Sequence, residues 1–149
     1  MKKIKKIILI TLLALPLIVY GKSLFGFSGA NKPIKTKVQL IKESLIKSGY
    51  NPKWFVISEK RSKIFNSLLS NSAKKSHHLH GDAIDVFIID IDGDGGFTQK
   101  DLDIVKKHNR KVEHLNPKLR GGFGTYTSKK IAKRMIHFDT RGYRVEYNH

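Results

Sequence analysis

The chain has 149 residues, of which 40% are hydrophobic and 28% are charged, and this balance predicts one globular domain with a core, not a disordered chain. It contains no cysteine, which excludes disulfide bonds, thiolate zinc sites and a lipid-modified N-terminal cysteine. The formal net charge of +17 favours an anionic partner, such as nucleic acid, anionic lipid or an acidic cell-wall polymer, although the charge could also serve only to keep the protein soluble.

The first 21 residues are predicted to be a signal peptide or an N-terminal anchor. Four lysines among the first six residues precede an uncharged apolar run from residue 7 to residue 20. That run is short for a bilayer span, which needs about 20 residues, and suits a signal-peptide core. Residues 19–21 do not form a clean Ala-x-Ala cleavage site, so an uncleaved inner-membrane anchor is the alternative. Either form predicts export, to the periplasm or outside the cell, and export argues against an intracellular nucleic acid as partner.

Residues 22–35, rich in glycine and serine at their start, are predicted to be a linker, and residues 36–149 are predicted to form the domain. A first helix is expected from Thr36 to Ser48, with Thr36 as its cap and Gly49 as its end. A short strand, Trp54–Ile57, follows. After it, the spacing of four apolar residues predicts a second helix with an apolar face: Ile64, Phe65, Leu68 and Leu69.

Histidine and aspartate are concentrated in Ser76–Asp85, directly before a strongly apolar predicted strand, Val86–Ile91. These side chains hold zinc where no thiolate is available, and a catalytic zinc needs three protein ligands and one open position. His78 and Asp85 are the predicted pair from this stretch, since Gly81 lets the loop turn between them. A solvent-exposed histidine-rich loop is the alternative.

Residues Asp90–Asp101 follow the EF-hand calcium pattern and resemble the calcium loop of dockerin modules. The predicted calcium ligands are the side chains of Asp90, Asp92, Asp94 and Asp101 and the backbone carbonyl of Gly96. Aspartate at the twelfth position is shorter than the usual glutamate, which should weaken binding. A tight Asp-Gly turn without metal is the alternative.

A third helix is predicted from Asp101 to Arg110, followed by an ambiguous stretch that Pro117 interrupts. Glu113 and His114 in this stretch are expected to be a solvent-exposed pair, with a position near the site as the alternative. The glycine-rich run Gly121–Tyr126 lacks a following phosphate-binding lysine motif, so a nucleotide loop is not predicted.

The stretch from Arg134 to Gly142 is predicted to supply the third zinc ligand. Alternation with Ile136 and Phe138 places His137 and Asp139 on one face of a strand. His137 is then the third ligand, and Asp139 is either its orienting partner or a general base. A core histidine satisfied by its neighbouring acid is the alternative.

The pattern Ser76-x-His78-x-x-Gly81-x-Ala83-x-Asp85 resembles the signature of the zinc D-alanyl-D-alanine peptidases. These cell-wall carboxypeptidases and endopeptidases share a metal site with lysostaphin-type enzymes and the hedgehog signalling domain. Further positions that match the family are Ser58, Arg61, Ser62 and Asn66, the Gly121–Tyr126 segment and the strand end His137–Gly142. Many relatives carry an acid or a histidine a few residues before the last ligand. The residue three positions before His137 in this chain is Arg134, and the identity of the catalytic base stays open.

The resemblance covers about Thr36 to Tyr147 and implies a compact α+β domain with a central antiparallel sheet and flanking helices. It implies an exported, monomeric zinc peptidase that cleaves peptidoglycan stem peptides or cross-links, with Arg61 in contact with the substrate. The partner is then peptidoglycan or another anionic cell-wall polymer, with membrane contact only through the N-terminal segment. A non-catalytic cell-wall-binding module stabilised by zinc and calcium, and an exported metal-dependent nuclease, are the alternatives.

Overall fold

The computed structural model describes residues 28–69, 74–128 and 132–148, so the predicted leader and the first part of the predicted linker lie outside the described residues. Within these ranges there are three α-helices and five strands. In chain order they are α1 (Lys32–Lys47), β1 (Lys53–Ser58), α2 (Lys63–Leu68), β2 (Ala83–Asp90), α3 (Gln99–Leu115), β3 (Gly122–Thr125), β4 (Met135–Asp139) and β5 (Val145–Asn148), with 3₁₀ turns at His77–Leu79 and Pro117–Leu119. No helix in the described ranges is long and apolar enough to cross a bilayer.

Helix α1 begins at Lys32, four residues before the predicted start at Thr36. Pro33 suits the first helical turn, where its fixed φ fits and its missing N–H would have no helical partner. Residues 32–35 therefore belong to the domain and not to a linker. The helix ends before Gly49, which adopts a φ of 86° as a helix-terminating glycine does. Its buried apolar residues form one stripe: Ile34, Val38, Ile41 and Leu45.

The strands form one sheet in the order β1-β2-β4-β3-β5. The pairs β1/β2, β2/β4 and β3/β4 are antiparallel, whereas β3 and β5 are parallel. The α+β class of a single compact domain is confirmed, but the predicted antiparallel sheet is mixed at its last strand. Both edges of β4 are already paired, and β5 adds beyond β3 instead. Because the chain reverses after β4, and β3 is antiparallel to β4, β5 runs in the same direction as β3.

Alternation of side chains gives the sheet two different faces. One face packs against α1 and α3, and its buried apolar residues on the central strands are Ile84, Val86, Ile88, Phe123, Ile136 and Phe138. The other face carries Asp85 on β2 together with His137 and Asp139 on β4. The polar residues predicted to form the site are therefore gathered on the face that the helices of the core leave open.

Helix α2 does not bury the apolar face that its spacing predicts. Ile64 is 71% exposed and Leu68 is 76% exposed, and the buried residue of the helix is Asn66. Ser62 caps its N-terminus, accepting a hydrogen bond from the backbone N–H of Phe65 at 3.1 Å. Helical spacing predicts a buried stripe only for a helix that lies on the core, and here α1 and α3 occupy that position.

Helix α3 is longer at both ends than predicted. It begins after a capping box, in which Thr98 and Asp101 satisfy each other's backbone N–H groups, and it continues to Leu115 before Asn116 and Pro117 end it. The second half of the helix thus includes residues that the sequence left ambiguous.

Glu113 was predicted to be exposed, and this prediction is wrong: its side chain is fully buried, whereas His114 is exposed. The carboxylate is neutralised by two cations, Lys37 Nζ at 2.8 Å from Oε1 and Arg144 Nε at 2.9 Å from Oε2. Lys37 Nζ also donates to the carbonyl oxygen of Asp139 at 2.8 Å. A buried ion pair therefore ties α1 and α3 to the end of β4.

Candidate metal centre

The three predicted zinc ligands come from two adjacent strands and one turn. Asp85 on β2 lies opposite His137 on β4 in the antiparallel register. His78 lies in the 3₁₀ turn before β2, where Ser76 Oγ accepts a hydrogen bond from its backbone N–H at 3.3 Å. The carbonyl oxygen of His78 accepts from the backbone N–H of Arg61 at 2.9 Å, which ties the turn to the segment after β1.

The turn that carries His78 depends on a glycine. Gly81 has a φ of 78°, a conformation that other residues rarely adopt. A Cβ at this position would also lie 2.9 Å from the carbonyl oxygen of Gly29. The carbonyl oxygen of Gly81 accepts from the backbone N–H of Asn31 at 2.8 Å. The start of the domain therefore closes over the turn and leaves no room for a side chain.

The three ligand atoms form a triangle with sides close to 3 Å. Asp85 Oδ1 lies 2.8 Å from His137 Nδ1 and 3.1 Å from His78 Nε2, and the two ring nitrogens are 3.2 Å apart. All three side chains are buried. The structure thus contains a buried His78–Asp85–His137 cluster that could hold a metal ion.

In each imidazole, the nitrogen that points away from the cluster has a hydrogen-bond partner. That partner determines whether the nitrogen facing the cluster carries a proton or a lone pair. His78 Nδ1 lies 2.6 Å from the carbonyl oxygen of Glu59, and His137 Nε2 lies 3.2 Å from Asp139 Oδ2. Both partners are acceptors, so these two nitrogens must donate. In the neutral rings, His78 Nε2 and His137 Nδ1 then present lone pairs to each other and to the carboxylate of Asp85.

Three electron-rich atoms at these distances repel one another unless positive charge lies among them. The pKa values point the same way. Burial alone would raise the pKa of Asp85, but when both histidines carry an added proton, their hydrogen bonds and charge hold it well below its usual range. Likewise, Asp139 and Asp85 raise the pKa of His137 despite its burial. The cluster is therefore stable only with positive charge among its three atoms, supplied either by a metal ion or by protons added to the histidines.

The donor set fits zinc. Ligand atoms about 2.0–2.1 Å from a tetrahedral zinc ion are about 3.3 Å from one another, close to the sides of this triangle. Two imidazoles and one carboxylate are the ligands of several catalytic zinc sites, which keep the fourth position for water or substrate.

Comparison of the chain with protein-family models, with curated proteins and with solved structures found no match to any of them.

Asp139 is placed to orient His137. Besides His137 Nε2, its carboxylate accepts from the backbone N–H of Gly122 at 2.6 Å and from the guanidinium of Arg141. Burial alone would raise the pKa of Asp139, but these hydrogen bonds and the charge of His137 hold it well below its usual range. A carboxylate with that many donors is a weak proton acceptor, so its contacts favour the orienting role over that of the general base.

Arg61, which the family resemblance placed in the site, lies beside the cluster. Its Nη2 donates to Asp85 Oδ2, and its Nε donates to Ser58 Oγ at 2.8 Å. These contacts fix the carboxylate so that its other oxygen, Oδ1, faces the two histidines. A guanidinium has five N–H donors, so the two contacts do not exhaust its capacity to bind a substrate oxygen.

Sequence reasoning missed three groups near the cluster: His77, Tyr126 and Tyr147. Burial lowers the pKa of His77, while the charges of Asp139 and Arg141 act on it in opposite directions. Burial also raises the pKa of Tyr126 to about 12, with a further contribution from the charge of Asp85. The ring of Tyr147 lies 6.0 Å from that of His137, centroid to centroid. Tyr126 belonged to a recognised glycine-rich segment, but Tyr147 has no neighbouring motif.

The predicted calcium loop brings only part of its ligand set together. Side-chain oxygens of Asp90, Asp92 and Asp94 all lie within 4.8 Å of one another. Asp101 is used otherwise: its carboxylate accepts from the backbone N–H of Ile91 at 2.8 Å and of Thr98 at 2.6 Å. It thus joins the loop to α3. Two lysines already pair with the cluster, Lys100 with Asp92 at 2.8 Å and Lys53 with Asp90 at 3.3 Å.

Proposed function

We propose that this protein is a zinc metallopeptidase that hydrolyses peptide bonds in peptidoglycan stem peptides or cross-links. The observation that supports a zinc site is the buried triangle of His78, Asp85 and His137, whose lone pairs converge on one point. The resemblance of this segment to the zinc D-alanyl-D-alanine peptidases supports the substrate class. The basic character of the chain suits an anionic wall polymer.

Zinc at this site would polarise the scissile carbonyl and lower the pKa of the attacking water. The chain's own residues have three separate tasks around it. Asp139 holds His137 through Nε2, the carbonyl of Glu59 holds His78 through Nδ1, and Arg61 holds Asp85 through Oδ2. Each ligand thus has an outer partner that fixes its direction, which strengthens metal binding and keeps the site rigid.

Arg61 has a second task in the proposed reaction. Its side chain is 13% exposed, so the guanidinium reaches the surface while it contacts Asp85. A cation at that position binds a peptide carboxylate or stabilises the negative charge that develops on the carbonyl oxygen. The first role gives a carboxypeptidase, which needs the free end of the peptide, and the second is equally compatible with an endopeptidase.

The experiment is digestion of purified peptidoglycan by the zinc-loaded protein, followed by mass spectrometry of the products. New peptides whose masses differ by cleavage at one stem-peptide bond support the proposal and identify the bond. His137→Ala, prepared in the same way, is the inactive control. Binding to the wall without any cleavage would favour the non-catalytic module, and degradation of DNA or RNA with added magnesium would favour the nuclease.

We also propose that calcium binds the loop of Asp90, Asp92 and Asp94 and stabilises the domain. Three carboxylates this close repel one another, and the lysines at 2.8 and 3.3 Å relieve only part of that repulsion. Calcium accepts six to eight oxygen ligands, so three aspartates would need backbone carbonyls and water to complete its shell. The role is structural, since the loop lies after the far end of β2 from Asp85.

A further inference from the structure

Three residues at the metal centre are cross-strand neighbours on three adjacent strands, and we call this row a rung of the sheet. His137 on β4 lies opposite Gly124 on β3, and Gly124 in turn lies opposite Tyr147 on β5. Residues paired in this way have their side chains on the same face of a sheet, with Cβ atoms about 5 Å apart on adjacent strands. Tyr147 therefore belongs to the same open face as His137, two strands away from it.

The middle position of the rung has no side chain, and the phenol ring of Tyr147 fills the space. A Cβ at Gly124 would lie 2.7 Å from Cζ and 3.0 Å from the hydroxyl oxygen of Tyr147, and closer still to Cε2. The hydroxyl end of the ring thus lies over Gly124, directly beside His137. The ring centroids of Tyr147 and His137 are 6.0 Å apart.

The backbone around Tyr147 is held from both sides. On the helix face, Glu146 accepts two hydrogen bonds from Arg110, at 2.6 and 2.7 Å. After Tyr147, Asn148 Oδ1 accepts from the backbone N–H of Thr127 at 3.0 Å. A phenol carried by a fixed strand keeps its direction better than one on a loop, which is what a catalytic donor requires.

We propose that the Tyr147 hydroxyl is a catalytic hydrogen-bond donor that contacts the carbonyl oxygen of the scissile peptide, and that Gly124 is glycine so that the phenol can reach it. This inference rests on the proposed peptidase function. A phenol is neutral near pH 7, so it donates a hydrogen bond without transferring a proton. The bond strengthens as negative charge develops on the carbonyl oxygen, and it therefore lowers the barrier.

Two variants test the inference. Tyr147→Phe keeps the ring and removes the hydroxyl, while Gly124→Ala keeps the hydroxyl and pushes the ring away. Gly124 does not have a positive φ, so alanine is compatible with its backbone, and the three atoms nearest to the added Cβ all belong to Tyr147. Tyr50→Phe is the matched control, because Tyr50 packs against His108 on the core side.

Each protein is compared in zinc content, in kcat and KM on peptidoglycan fragments, and in calorimetric affinity for acetohydroxamate, an oxyanion that binds zinc without needing the peptide. Tyr147→Phe and Gly124→Ala should keep full zinc, lose about a hundredfold in kcat with little change in KM, and bind acetohydroxamate about ten- to a hundredfold more weakly. Tyr50→Phe should match the wild type.

Wild-type kcat and acetohydroxamate affinity in Tyr147→Phe would overturn the inference, since the ring would then serve only to cover His137. A large loss in Tyr147→Phe without any loss in Gly124→Ala would overturn the role assigned to the glycine. A wild-type protein that binds zinc and acetohydroxamate but cleaves no peptidoglycan would contradict the proposed function instead. In that case the affinity of Tyr147→Phe for acetohydroxamate still decides whether the hydroxyl faces the metal centre.

Discussion

Asp85 and His137 lie directly opposite each other on the central strands β2 and β4, and Asp85 Oδ1 is 2.8 Å from His137 Nδ1. Their contact is fixed by the register of the sheet and not by a loop. A shift of either strand by one residue would turn its own side chain, Asp85 or His137, into the apolar core, at a cost that the packing of Ile84, Val86, Ile136 and Phe138 makes prohibitive. Two of the three candidate ligands are therefore placed by the same forces that fold the domain.

Removing one ligand should abolish zinc binding. His78→Ala, Asp85→Ala and His137→Ala each leave two protein ligands, too few to hold an open zinc site tightly. We expect metal analysis after dialysis to find less than about a tenth of the wild-type zinc in each variant. His114→Ala, which removes an exposed histidine on α3, is the control and should retain zinc. Near-stoichiometric zinc in any of the three variants would remove that residue from the ligand set.

The sequence predicted the residues of this cluster because two of them stand next to a strong local signal and because the segment Ser76–Asp85 resembles a zinc-peptidase signature. Asp85 begins a β-branched apolar run, and His137 alternates with Ile136 and Phe138, so period-two spacing was enough to place both on a sheet. Pairing of β2 with β4 could not be read from periodicity, because strand order depends on which edges are free when the chain folds back.

Other features were hidden from sequence reasoning for a different reason. Whether a charged residue is buried depends on partners far away in the chain, as for Glu113, whose cations are 76 and 31 residues distant. Tyr147 approaches His137 only because β5 pairs with β3 and because the intervening residue, Gly124, has no side chain. Neither contact leaves a local pattern, and both follow from the topology of the sheet.

Lys37 should be essential for stability. Burial lowers the pKa of Lys37, and the hydrogen bond and charge of Glu113 oppose that shift, so the amine depends on its partner to stay charged. Lys37→Met would leave the buried carboxylate with Arg144 as its remaining cation and free the carbonyl of Asp139. Breaking a buried ion pair on one side costs about 3–5 kcal/mol, and with Arg144 in place we expect about 3 kcal/mol in urea unfolding.

The matched control for Lys37→Met is Lys47→Met, an exposed lysine on the same helix, which should change the free energy of unfolding by less than about 0.5 kcal/mol. The double variant Lys37→Met/Glu113→Gln should lose less than the sum of the two single variants, since it removes the uncompensated charge. A loss below about 1 kcal/mol for Lys37→Met would show that Arg144 alone neutralises Glu113.

Calcium should raise the melting temperature of the wild-type protein. Binding only to the folded state stabilises by about 2.7 kcal/mol at a calcium concentration a hundred times Kd. Asp92→Asn and Asp94→Asn should remove most of this shift, whereas Asp103→Asn, on the exposed side of α3, should keep it. Melting curves in excess calcium and in chelator provide the measurement. Identical curves for the wild-type protein in both conditions would eliminate the calcium site.

Glu146 should contribute stability that depends on pH. Hydrogen bonds from Arg110, reinforced by Lys106, lower its pKa to about 2 from the usual 4.5. Because the folded pKa lies below the unfolded one, the stabilisation is complete above about pH 4.5 and is lost as the pH falls towards 2. Glu146→Gln should therefore melt below the wild type at pH 6 and approach it at pH 2. A difference in melting temperature that stays constant across this range would contradict the assignment.

Asp139→Asn separates the two roles left open for this residue. As a general base, Asp139 would take a proton from the attacking water, and the variant would keep zinc but lose about a hundredfold or more in turnover at any zinc concentration. As the orienting partner of His137, it would mainly support metal affinity, which would fall by about ten- to a hundredfold. The contacts of Asp139 with Arg141 and Gly122 favour the second outcome.

We therefore expect Asp139→Asn to lose activity at limiting zinc and to recover most of it at saturating zinc. Asparagine can still accept from Gly122 and His137, but it cannot neutralise Arg141, so some loss of stability should accompany the change. Turnover measured along a zinc titration distinguishes the roles, with His80→Ala as a control from the neighbouring turn. A rate that stays a hundredfold low at saturating zinc, with full metal occupancy, would identify Asp139 as the proton acceptor despite its low pKa.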